Sequence, residues 1–274
     1  MTRVLADVAV EASTCTKCRL SEGRTQVVFG VGDPHADLMF IGEGPGFHED
    51  REGEPFVGAA GQLLTQMLGE IGLARNDVYI ANIVKCRPPA NRDPLPDEIE
   101  ACTPWLVEQI SMIQPRVVVT LGNFATKFVL NTQLGITRLR GQVHDWHGRT
   151  VIPTFHPAAI LHGGGQRSPQ LGLLREDFAL VRRTLDSMGT GVGGGTASGT
   201  GVGGATALGT GVGGAVGSGG PVPTQPPPPP TAPPFRPSTP GASSAVPPGS
   251  VPRHPVDAPE GSGDTPDEEQ MELF

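Results

Sequence analysis

Cysteine is scarce in this 274-residue chain; there are four, at Cys15, Cys18, Cys86 and Cys102. Long apolar runs are missing, and no stretch approaches the roughly 20 residues that a membrane-spanning helix requires. The first residues, Met1-Thr-Arg-Val-Leu-Ala-Asp7, contain no apolar leader. The chain is therefore expected to stay in a reducing, cytoplasmic compartment without a membrane partner, which disfavours disulfides. Positive charge is in short supply too, with 20 Lys and Arg against 28 Asp and Glu and a net charge of −8. No basic excess announces a nucleic-acid partner, although a local basic face would suffice for one.

Composition divides the chain in two. Residues 1–188 mix apolar, charged and aromatic residues as a globular domain does, and that length suits one core. From Gly189 the unit Gly189–Ser198 recurs, slightly altered, at Gly199–Leu208 and Gly209–Ser218, and prolines then crowd in, unbroken from Pro226 to Pro230. The repeats carry almost nothing apolar to stack, so residues 189–266 are expected to form a disordered linker, flexible where Gly-rich and stiffer where Pro-rich. The segment after 188 carries seven acidic residues and two arginines, a net of −5, which leaves only −3 for the first 188 residues. The acidic balance is thus largely a property of the tail.

What is present in the first part is informative. The four cysteines fall as one close pair, Cys15-Thr-Lys-Cys18, and two singles, Cys86 and Cys102. Four soft thiolates suit a [4Fe–4S] cluster or a tetrahedral zinc ion, and their count does not separate the two. Packed free thiols are the bland alternative.

Short β-rich runs at 38–41, 78–83, 117–121 and 151–154 alternate with helical patterns at 61–71, 97–113, 123–130 and 170–187. Continuous apolar strands separated by helices predict an α/β fold, a parallel sheet covered on both faces. Ligands in such folds bind beyond the carboxyl ends of the strands. The first run ends in Gly42-Glu43-Gly44-Pro45-Gly46-Phe47-His48-Glu49-Asp50, where glycines let a ligand approach the backbone and carboxylates follow. Just downstream, Pro55-Phe56-Val57-Gly58 offers a ring to cover the same crevice. The second run ends in Asn82-Ile-Val-Lys-Cys-Arg-Pro-Pro89, and an Asn there presents one donor and one acceptor to a base edge. The fourth ends in Thr154-Phe-His156-Pro157, with an imidazole at the mouth of the crevice. Each has an ordinary alternative as a loop carboxylate, a core ring, a turn cap or a structural His.

Taken together, Glu43-Gly-Pro-Gly46 with Glu49-Asp50, Pro55–Gly58, Asn82–Pro89, His156-Pro157 and the four cysteines resemble the family 4 uracil-DNA glycosylases of bacteria, over about residues 4–185. The resemblance implies a three-layer α/β/α sandwich around a four-stranded parallel sheet. It implies a [4Fe–4S] cluster on Cys15, Cys18, Cys86 and Cys102, and a monomer that hydrolyses the N-glycosidic bond of uracil in DNA during base excision repair. It assigns His156 to the uracil O2, Asn82 to the polar edge of the base, Phe56 to stacking, and Gly42, Glu43 and Gly44 to the pocket floor. Family 1 enzymes carry an Asp in their water-activating motif where Gly44 stands here. Glu49 and Glu43 are therefore the candidates for managing the water, Glu49 slightly ahead, with Asn91 helping to position substrate or water. No basic, His-containing insertion follows Asn91, so turnover is expected rather than covalent trapping. Leu161 and Arg167 are candidates for a wedge and a phosphate contact at the DNA surface.

Residues 267–274 end in a Gln-x-x-Leu-Phe pattern that resembles the sliding-clamp-binding peptides of bacterial repair proteins. Gln270, Leu273 and Phe274 would be its anchors, on a tether spanning about 50 Å. Two rival readings stay open: a non-catalytic iron–sulfur module that binds DNA and recruits partners, and a glycosylase preferring another deaminated base.

Overall fold

A computed structural model describes residues 3–189. The repeat and proline-rich linker and the terminal peptide with Gln270, Leu273 and Phe274 lie outside the described residues. In chain order the helices are α1 (Leu5–Ser13), α2 (Phe47–Glu52), α3 (Ala59–Glu70), α4 (Pro96–Ile113), α5 (Gly122–Leu130), α6 (Ile136–Leu139), α7 (Pro157–His162) and α8 (Pro169–Ser187). The strands are β1 (Val31–Gly32), β2 (Leu38–Gly42), β3 (Tyr79–Asn82), β4 (Val117–Leu121), β5 (His144–Trp146) and β6 (Arg149–Thr154).

The strands form one sheet in the order β1-β3-β2-β4-β6-β5. The inner four are parallel, as expected. Two short antiparallel strands, β1 and β5, extend the sheet at its edges. Neither was predicted. β1 has only two residues, and β5 is set by a hairpin whose turn, His147-Gly148, has positive φ at both positions, the geometry of a two-residue hairpin loop.

Alternation along the strands builds two cores. Met39, Ile41, Tyr79, Ala81 and Val118 face one side, where Val8 and Ala12 of α1, Trp105, Leu106 and Ile110 of α4, and Ala125 and Val129 of α5 cover them. Leu38, Phe40, Ile80, Val117 and Val119 face the other, against Leu64 and Leu68 of α3 and Leu171, Phe178 and Leu185 of α8. Both faces are buried, which is why these strands read as unbroken apolar runs. Phe40 and Phe178 stack at 5.7 Å across the sheet–helix interface, and truncating either to Ala would cost about 3–5 kcal/mol. The three-layer architecture leaves one end of the sheet, beyond Gly42, Asn82, Leu121 and Thr154, as the place where loops from different strands meet. Among the described residues no helix is long and apolar enough to cross a membrane.

Candidate active site and thiol cluster

β2 and β3 end side by side, Gly42 opposite Asn82, and the register continues into the loops. The Ile83 amide donates to the Gly42 carbonyl at 3.0 Å and the Val84 amide to that of Glu43 at 3.1 Å. Asn82 is buried, and its side-chain Oδ1 has no hydrogen-bond partner. A buried amide oxygen left so costs roughly 1–3 kcal/mol, and such an orphan in a native fold calls for a functional reason. A side chain on Gly42 would collide with this oxygen and stand 2.7 Å from the ring of Phe56. Gly42, Asn82 and Phe56 therefore converge on one small volume, and only glycine leaves it open.

Phe56 is buried and has φ of +56°, a strained conformation for a bulky residue. Its neighbours hold it there. The Val57 and Gly58 amides both donate to Glu49 Oε1 at 3.1 Å, and the Pro55 carbonyl accepts from Arg75 at 2.9 Å. The other oxygen of Glu49 accepts from the Gly46 amide at 3.1 Å, capping α2. Glu49 thus ties the Gly46 turn to the Phe56 turn, and both its oxygens are already engaged by backbone donors.

His156 caps α7 through Nδ1, which accepts from the Ala158 amide at 3.2 Å. That bond assigns the proton of the neutral ring to Nε2. Burial pushes its pKa down to about 4; Glu49 partly opposes the shift and His162 adds to it. The ring lies 5.6 Å from that of Phe56. Gly122, at φ +86° after β4, approaches so closely that a Cβ there would stand 2.9 Å from His156 Cβ. Four strand ends contribute to the pocket in this way.

Glu43, in the loop after β2, is half-buried, and its carboxyl is pushed up to about 7, chiefly by burial and secondarily by the Asp93 charge. Asp93 belongs to the loop of Asn91, where Ala90 and Asn91 adopt φ of +53° and +52° in succession. Asn91 Oδ1 accepts from Arg87 Nε at 2.7 Å, and Arg92 clamps buried Glu98 with bonds of 2.9 and 2.7 Å. These bonds anchor the loop from which the Asp93 charge acts on Glu43. Leu161 is half-buried, packed against the α8-side core. Arg167 is exposed in a tight turn, and its side chain has no partner among the described residues.

On the opposite face of the sheet the four cysteines line a single pocket with Ala12, Lys17, Arg24 and Trp105. None is disulfide-bonded. Three of the sulfurs accept hydrogen bonds: Cys15 from Trp105 Nε1 at 3.4 Å, Cys86 from Arg24 at 3.5 Å, and Cys102 from the Lys85 amide at 3.2 Å. Burial raises the thiols of Cys18 and Cys86 and pushes Cys102 up to about 12. Among the described residues no group of three or more His, Cys, Asp or Glu is arranged to hold a metal ion. The donor set nevertheless fits a cluster, in which each thiolate binds a different iron and N–H donors face the sulfurs.

Sequence reasoning missed two buried partners. Lys85 is fully buried with Nζ donating to the Asn82 backbone carbonyl at 2.8 Å and to Gln109 Oε1. Gln109 in turn donates to the Phe29 carbonyl at 2.8 Å and to Tyr79 at 3.1 Å. A lysine and a glutamine inside apolar patterns were the available signal.

A model of the uracil DNA glycosylase superfamily matches residues 29–178. A type-4 uracil-DNA glycosylase of Sulfurisphaera tokodaii is 48% identical over 187 residues, which cover 65% of this chain and 83% of that protein. One from Archaeoglobus fulgidus is 49% identical over 182 residues, 64% of this chain and 87% of the relative. One from the bacterium Thermotoga maritima is 49% identical over 156 residues, 56% and 81% of the two chains. With its strand-end pocket, its four gathered thiols and these relatives, the chain belongs to the uracil DNA glycosylase superfamily, in its type-4 branch.

Proposed function

We propose that the protein excises uracil from DNA by hydrolysing its N-glycosidic bond, and that the orphaned Oδ1 of Asn82 is where the base is read. Uracil presents an N3–H donor between two carbonyl oxygens. Asn82 Oδ1 accepts from N3–H while its amide nitrogen donates to O4. Cytosine offers a bare N3 and an amino group in those places, so both contacts become mismatched, and such mismatches exclude a substrate more strongly than lost apolar contact does. The base must leave the stack to reach this depth, and Phe56 then lies against its ring. Gly42, Glu43 and Gly44 form the floor.

Bond cleavage puts negative charge on the base and cationic character on the sugar. His156 Nε2–H faces the uracil O2 and donates to the developing anion. A neutral donor with its tautomer fixed from behind serves that anion without reorganising. Among the described residues none hydrogen-bonds the Glu43 side chain, so it is the carboxylate we assign to the water and the sugar cation, with Asn91 beside it. Glu49 shapes the pocket by holding the Phe56 turn.

Cys15, Cys18, Cys86 and Cys102 are assigned to a [4Fe–4S] cluster, whose contribution when bound is a structural crosslink. It would join the segment after α1 to both flanks of the Asn91 loop. DNA is the partner. The first 188 residues form the glycosylase domain, the protein works as a monomer in the cytoplasm, and 189–266 tether a clamp-docking peptide at 267–274. Deleting the last five residues should abolish clamp binding and spare base release from short oligonucleotides.

The decisive experiment is base release from a single-uracil oligonucleotide by wild type, His156→Ala and Asn82→Ala. Free uracil from wild type, sharply reduced in both variants, is the expected result. Tight binding of uracil-DNA with no release by cluster-loaded protein would favour the recruitment module. Release of hypoxanthine in preference to uracil would reassign the substrate.

A further inference from the structure

Phe47 opens α2, directly after the pocket floor, and it is the one aromatic ring among the large apolar side chains exposed on the described surface, at 46%. It is not left bare. The guanidinium carbons of Arg87 and Arg51 lie 5.1 and 5.5 Å from its ring centre, and the His48 ring meets it edge-on at 5.5 Å. Six other arginines, Arg3, Arg19, Arg92, Arg140, Arg175 and Arg182, each pair with a carboxylate. Arg51 and Arg87 form no ion pair among the described residues. What sets these two apart is that both guanidinium groups are held against the same exposed ring.

We propose that Phe47, Arg51 and Arg87 form a platform for the DNA strand beside the flipped uridine, Phe47 stacking on the neighbouring base and the arginines meeting its flanking phosphates. The proposal rests on the glycosylase reading and adds a contact outside the uracil pocket. Position argues for it first. Phe47 lies five positions after Gly42, so its Cα is at most about 18 Å from that of Gly42, within reach of the next nucleotide or two. Arg87 also donates to Asn91 Oδ1, which makes the platform continuous with the loop that closes the crevice. Chemistry argues for it second. A base stacks on an aromatic ring whatever its sequence, and a guanidinium already oriented on that ring loses little freedom when it meets phosphate. An enzyme that must find uracil in any context needs a contact of this sequence-tolerant kind.

The test uses single-stranded oligonucleotides with one uracil, whose 5′ or 3′ neighbour is either a normal nucleotide or an abasic spacer. Binding is read by fluorescence anisotropy and release by product analysis, for wild type, Phe47→Ala and Phe47→Trp. Phe47→Ala should weaken binding about tenfold, the size of one lost base–aromatic stack, with the loss appearing in KM. Phe47→Trp should restore it. A spacer on one side of uracil should weaken wild type by a similar factor and leave Phe47→Ala unaffected. Equal spacer effects in wild type and Phe47→Ala, or undiminished binding by Phe47→Ala, would overturn the platform. Because anisotropy reports on the platform without chemistry, a wild type that binds but releases no base would count against the glycosylase reading alone.

Discussion

The buried ammonium of Lys85 donates to the backbone carbonyl of Asn82 at 2.8 Å, while the Lys85 amide donates to the sulfur of Cys102 at 3.2 Å. One residue thus joins the thiol pocket on one face of the sheet to the Asn82 peptide at the end of β3. Lys85→Met would leave the Asn82 carbonyl and Gln109 Oε1 without this donor. At roughly 1–3 kcal/mol for each buried group so stranded, the denaturant midpoint should fall clearly. Discrimination between uracil and cytosine should fall as well, because the peptide that carries Asn82 loses its anchor. A destabilised variant with unchanged discrimination would make Lys85 a purely structural residue.

Asn82 itself should behave in the opposite way. Its Oδ1 makes no hydrogen bond in the free protein, so Asn82→Ala removes a cost. Stability should hold or rise slightly, while kcat/KM on uracil falls roughly 10- to 100-fold for the lost polar contacts. Thermal melting beside base-release kinetics measures both. Gly42→Ala should lower activity by a different route and lower stability with it, since its methyl would collide with Asn82 Oδ1 and the Phe56 ring.

Much of this site was legible because its signals are local. An apolar run that stops at Asn82, and a His-Pro after another, mark strand ends whose side chains point into a crevice. The four inner strands were readable for the same reason, being buried on both faces. What stayed hidden depends on contacts distant in sequence. Gln109 meets Lys85 only when α4 packs on the sheet, 24 residues on. Glu49 also has a bracing position that its place after the glycine turn does not announce. Its three backbone donors come from Gly46 and from Val57 and Gly58, a geometry that only the folded loops create. α2 was missed as a helix for the same reason, being six residues long and capped by that carboxylate.

The pH dependence separates the two titratable groups of the pocket. His156 has its pKa pushed down to about 4 from 6.5, so it stays a neutral donor across the physiological range and activity should show no loss near 6.5. Its folded value lies below the unfolded one, so the unfolded chain takes up the proton first as pH falls. The stability it permits is complete above 6.5 and is lost progressively toward 4. Glu43 has the opposite sign, raised to about 7 from 4.5. The folded state holds its proton more tightly, so stability declines as pH rises from 4.5 through 7. In the role proposed for Glu43, its anion is the form that would assist the sugar cation and the water. Activity should therefore climb through pH 7, and Glu43→Gln should be slower and flat there. A limb near 7 that survives in Glu43→Gln would assign it to another group.

The thiols give the last prediction. As free groups, Cys18, Cys86 and Cys102 are held protonated by burial, an odd place to gather sulfurs with hydrogen-bond donors aimed at three of them. A cluster reverses that logic, since bound iron favours the thiolate and the N–H donors then face negative charge. Protein prepared without air should be brown, with broad absorption near about 400 nm, whereas a zinc site would be colourless. Cys102→Ser removes the ligand in the middle of α4 and should bleach that band. It should also open the loop between Cys86 and Cys102 to proteolysis around Ala90 and Asn91, whose left-handed conformations need anchoring at both flanks. Uracil release should fall with the loop, since Asn91 is a proposed positioning residue and the Asp93 charge acts on Glu43 from it. Full colour in Cys102→Ser would remove this cysteine from the ligand set. A bleached but protease-resistant and fully active variant would show that the cluster does not hold the loop.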